Sequence, residues 1–198
     1  MPDPIATSTI ASQAFRLMEL SAISSFADDT PQARAAAEQY PIAMAMCLEA
    51  ADWSFASVLA ILPPATLDPG HAADADLPYT YKLPGDCVRL IEVTDADVKY
   101  RRDRDYLRAD APTSLTIRYT ATPPDASKLP ATFQTAVAFR LAALLAPKWI
   151  GAQTKITGLE NGAERMLMAA MKQDARQASP ARYDGRPEQP DWVSEATR

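Results

Sequence analysis

The only histidine of the chain, His71, sits in the stretch "LPPATLDPGHAADADLP" with Asp68, Asp74 and Asp76 around it. A histidine beside carboxylates could move protons, and a run of aspartates could hold a cation. Neither chemistry is specified here. No serine or cysteine neighbours His71 to act as its nucleophile, and the aspartates lack both the regular spacing and the closing glutamate of an EF-hand. The two cysteines, Cys47 and Cys87, are 40 residues apart, lie in apolar runs and fit no zinc or C-x-x-C spacing, so they read as buried free thiols. Phosphate-cradling glycine loops, the serine-hydrolase elbow and the H-E-x-x-H helix have no counterpart. Carboxylate pairs such as Asp28 with Asp29, or Glu160 with Glu164, are common on solvated faces. No cofactor and no catalytic residue is expected.

A denser constellation is the alternating series Arg101, Arg102, Asp103, Arg104, Asp105 and Arg108. Mixed charges on a hairpin usually form a solvated face. Their alternative use is an intersubunit seam, in which charges of both signs set register and partner choice.

The elements that carry these residues follow from periodicity. Ile10, Ala14, Leu17 and Met18 predict a helix over 8–20. Thr30 as N-cap and Pro31 at the first helical position start a second, over 31–56, with Ala33, Ala37, Tyr40, Met44, Cys47, Leu48 and Ala51 on its apolar face. Pro41 should bend it. Residues 62–78 read as an exposed proline- and aspartate-rich loop.

From Tyr79 the period becomes two. Tyr79, Tyr81 and Leu83 alternate, Val88 and Leu90 face opposite to Ile91 and Val93, and Leu115, Ile117 and Tyr119 alternate again. The prediction is one small antiparallel sheet over 79–120, with the charged series at a hairpin tip. Phe133, Val137, Leu141 and Leu144 mark a helix over 131–147, and Leu159, Ala163, Met166, Leu167 and Ala170 one over 159–178. The fold class is therefore α+β, mainly helical: a helical bundle with a small antiparallel sheet inserted in its middle. Residues 1–178 form one domain. Residues 179–198, with three prolines and an isolated Trp192, form an extended C-terminal arm that cannot fold by itself.

Composition limits the partners. A chain of 198 residues with net charge −5 and a pI near 4.9 does not suit free-standing DNA binding, no stretch approaches the roughly 20 apolar residues that span a bilayer, and no signal-peptide pattern opens it. Synthesis in a cytoplasm-like compartment is expected.

The order of features is recognisable. A second helix ends in "ADWSFA", a proline-rich loop follows, then "YKLPGDCVRLIEV", an Ile-x-Tyr strand and the helix "FQTAVAFRLAALLA". This resembles the tail tubular protein A family and the related head-to-tail adaptors of tailed phages and phage-like particles, over about residues 10 to 150. The resemblance implies a virion structural protein at the head-tail junction, without catalysis. It would form a ring of about twelve copies under the portal, extending the DNA channel and providing the platform for a downstream tail protein, nozzle or stopper. DNA would pass without sequence-specific binding. Trp53 and Phe55 would then staple the end of the long helix against a wall of Tyr79, Tyr81 and Leu83. Tyr183, Trp192 and Arg198 would lie on an arm docking to portal or neighbour. The alternatives are a small tail-associated hydrolase and a cytoplasmic helical interaction protein.

Overall fold

A computed structural model describes residues 4–67 and 72–177, with side chains described from Thr9 onward. Four helices, α1 (Pro4–Leu17), α2 (Pro31–Glu49), α3 (Ala131–Trp149) and α4 (Gln153–Gln177), flank six strands. The strands are β1 (Ser57–Leu62), β2 (Tyr79–Lys82), β3 (Cys87–Val93), β4 (Tyr100–Asp103), β5 (Tyr106–Ala109) and β6 (Leu115–Ala121). The fold is mixed α+β, and α3 is its central helix, packed along α4 and against α1 and α2.

The helix starts and stops have local causes. Thr30 is extended, and its Oγ1 accepts from the Ala33 N–H at 3.1 Å, which caps α2 with Pro31 in the first turn. Helix α1 closes with the Leu20 N–H on the Phe15 carbonyl and the Glu19 N–H on the Arg16 carbonyl, at 2.9 and 3.0 Å. That is a Schellman closure, and it places Glu19 in the left-handed region at φ 62°. Lys155 of α4 donates to the Met18 carbonyl and pairs with the Glu19 carboxylate, bringing a cation to the negative end of α1.

Several expected boundaries move. Helix α1 ends at Leu17, before residue 20. Helix α2 ends at Glu49 rather than 56, and the chain turns through a 3-10 turn at Ser54–Ala56 into β1, a strand the periodicity did not show. Helix α2 is continuous across Pro41; Pro41 and Ala37 are both exposed, so the carbonyl that loses its intrahelical donor lies on an exposed face. Helix α3 likewise runs through Pro147 to Trp149, and α4 begins at Gln153 rather than 159.

The β region forms two three-stranded antiparallel sheets, in the orders β1-β6-β3 and β2-β5-β4, where one was expected. Register shifts between Cys87 and Arg89, and again between Leu90 and Glu92, break the alternation of β3. Its residues from Cys87 to Glu92 are consequently all half-buried, Cys87 among them.

Two apolar clusters result. One joins the helices through Phe15, Leu48, Trp53, Phe133 and Leu141, and the other joins the sheets through Tyr81, Leu107, Leu115 and Ile117. Among the described residues no helix is long and apolar enough to cross a membrane.

Candidate functional site: a tryptophan clamp and a charged hairpin

The stretch from Trp53 to Phe55 is the point where four elements meet. Trp53 is 1% exposed, and its indole Nε1 donates to the Cys47 carbonyl at 2.9 Å. That carbonyl lies in the last turn of α2, where no intrahelical donor remains for it. The Trp53 and Phe55 rings each lie 4.9 Å from the Phe133 ring of α3, edge-on at 75° and 63°. Ser54 then fixes the turn to α4. Its N–H and hydroxyl both donate to the buried Asp174 carboxylate, at 2.9 and 2.5 Å.

The expected aromatic wall is therefore replaced. Tyr81 and Leu83 are buried in the other cluster, between the sheets, and Tyr79 is 37% exposed. The Tyr81 hydroxyl donates within its own region, toward the carbonyls of Ala111 and Thr113. The partners that hold the clamp, Phe133 and Asp174, lie some 80 and 120 positions along the chain from it. Phe133 was legible as a core residue of α3. Asp174 gave no signal, since a carboxylate in a helix reads as solvated until a donor is brought to it.

The charged series does form a hairpin, β4–β5, closed by Arg104 and Asp105, with Arg104 in the left-handed region at φ 55°. The pairing sets Arg101 directly opposite Arg108, like charges across the ladder. Asp103 offsets this by accepting from both, from Arg101 Nε at 3.0 Å and Arg108 Nε at 2.8 Å. Asp74, from the preceding loop, accepts from Arg101 Nη2 at 2.7 Å. The hydrogen bonds from Arg101 hold the Asp103 carboxyl below its ordinary range. The Asp76 N–H, followed by Arg101, does the same for Asp74. Arg108 is 6% exposed and donates from Nη2 to the Ala72 carbonyl, while its Nη1 has no hydrogen-bond partner. Arg102 and Arg104 are exposed and form no ion pair among the described residues, although Arg102 Nε donates to the Arg104 carbonyl. The Asp105 carbonyl accepts from the Leu83 N–H and ties the turn to the end of β2.

No protein-family model matches the chain, and no curated protein matches it.

A third feature, not visible in the sequence, is an apolar groove of about 440 Å³ beside α2, lined by Phe26, Tyr40, Met44, Leu48, Pro123 and Leu129. The Tyr40 hydroxyl is buried there without a hydrogen-bond partner, and burial pushes its pKa up to about 12. Among the described residues no three His, Cys, Asp or Glu side chains are grouped to hold a metal. His71 and Asp68, and the arm residues Tyr183, Trp192 and Arg198, lie outside the described residues.

Proposed function

We propose that this protein is a head-to-tail adaptor of a virion, a structural protein that assembles as a ring beneath a portal and carries the DNA channel toward the tail. The observation that carries the reading is the order of sequence features around "ADWSFA" and "YKLPGDCVRLIEV", together with the hairpin that follows them. That hairpin presents Arg102 and Arg104 beside a preformed Arg101–Asp103–Arg108 cluster. Such an arrangement suits contact between identical neighbours, because internal pairing fixes the cluster while the free cations reach a carboxylate across the seam.

On this reading the clamp at Trp53 is architectural. It fixes the end of α2, and with it the strand that follows, so that each subunit enters the ring with one shape. About twelve copies at −5 would give the ring a total charge of roughly −60, and a negative lumen would repel DNA phosphates and let the duplex slide. The portal above and a nozzle or stopper protein below are the partners. The finished assembly lies at the head-tail junction of the virion, after synthesis in the host cytoplasm.

The test is native mass spectrometry with negative-stain microscopy of the purified protein, alone and mixed with the portal encoded beside it. A ring on the portal is the expected result. A stable dimer that leaves the portal bare at micromolar concentration would overturn the reading. Removal of residues 180–198 is expected to weaken portal docking while leaving the fold intact, and unaltered docking would remove the arm from the proposal.

A further inference from the structure

Strand β1 lies at one edge of its sheet, with β6 on its only paired side. In antiparallel pairing alternate residues direct their N–H and C=O groups away from the neighbour. No backbone hydrogen bond from another described segment reaches residues 57–62. The sequence of β1, SVLAIL, carries no charge and no proline, and Leu59 and Ile61 stand 60% and 70% exposed on one face. Proteins normally guard an edge with charge, as β4 does here with Arg101, Arg102 and Asp103. β1 has no such guard and is a template for another strand.

We propose that residues 191–198 of the same chain, DWVSEATR, add to this edge as a further strand and lay Trp192 over Leu59 and Ile61. The exit of the chain puts its arm at the right place. Helix α4 ends at Gln177, within one turn of Asp174, whose carboxylate holds Ser54, and β1 begins three residues after Ser54. Pro180, Gly185, Pro187 and Pro190 make the nearer part of the arm a poor strand. Residues 191–198 are the longest stretch of it without proline or glycine, and they include Trp192, Val193 and Thr197, types that favour strands. The intervening residues 178–190 reach at most about 45 Å, against an edge of about 20 Å, so the stretch can lie along any part of β1. The tether raises its local concentration to about the millimolar range, which favours it over a second copy in dilute solution. The added backbone bonds and the indole would cover the apolar strip of the free protein. This inference goes beyond the adaptor reading and does not depend on it.

Hydrogen exchange of the full-length protein, read by mass spectrometry over residues 57–62 at submicromolar and at tenfold higher concentration, tests the proposal. Slow exchange, equal at both concentrations, is expected. Trp192→Ala and Ser194→Pro are each expected to speed exchange in β1 by roughly tenfold while β6 is unchanged. Fast exchange in the unaltered protein, or variants that leave β1 protected, would overturn the proposal. Protection lost on dilution would overturn it too, by assigning the edge to a second copy of the chain.

Discussion

The indole Nε1 of Trp53 donates to the carbonyl of Cys47 across 2.9 Å, so one side chain both fills the helical core and ends α2. The two roles can be separated. Trp53→Phe keeps an aromatic ring against Phe133 but leaves the carbonyl bare, and it is expected to cost about 1–3 kcal/mol. Trp53→Ala also opens a cavity among buried rings and is expected to cost about 3–5 kcal/mol. Urea denaturation of both variants checks the order, and equal losses would show that packing alone matters.

Asp174 is the only described tie between α4 and the turn at Ser54 that uses a buried carboxylate. Asp174→Ala leaves the Ser54 N–H without an acceptor in a half-buried place, and its expected cost is about 2–3 kcal/mol. A double-mutant cycle with Ser54→Ala isolates the hydroxyl part, and a coupling near zero would contradict the bond.

Two glycines of α4 differ in surroundings. A Cβ on Gly158 would meet nothing within 4 Å, whereas one on Gly162 would lie 2.7 Å from the Phe139 ring of α3. Gly158→Ala is expected to stabilise by about 0.5–1 kcal/mol through helix propensity. Gly162→Ala is expected to destabilise by about 1–2 kcal/mol, because the ring must be displaced from the α3–α4 seam. Thermal melts of the pair read the sign directly.

Alkaline pH should weaken the fold. Burial pushes the Cys47 thiol up from 9.0 to about 11 and the Tyr40 hydroxyl up from 10.0 to about 12. Both groups then stay protonated in the folded chain at a pH where the unfolded chain has lost the proton. Their contribution is complete below about pH 9 and falls as pH rises through 9 to 12. Cys47→Ala is expected to flatten the fall between about pH 9 and 11. Denaturant midpoints measured from pH 8 to 11 check this, and an identical slope in the variant would refute it.

What the sequence determined by itself was local. The 3.6-residue spacing of Phe133, Val137 and Leu141 marked the buried face of α3, Thr30 and Pro31 marked the start of α2, and the alternating charges lay around a hairpin turn. Each depends on neighbours a few positions away, where backbone geometry dictates which side chains share a face. Strand β1 was hidden because "ADWSFASVLAIL" continues the apolar run of α2 with no proline or glycine to end it. Its pairing with β6, nearly sixty residues on, made it a strand. Alternation likewise told which residues of a strand share a face, but not which strand lies alongside, so two sheets looked like one. The partners of Trp53 and Ser54 were decided the same way. Phe133 and Asp174 reach them only once α3 and α4 have packed, and an aspartate carries no sign in the sequence that a distant N–H will be delivered to it.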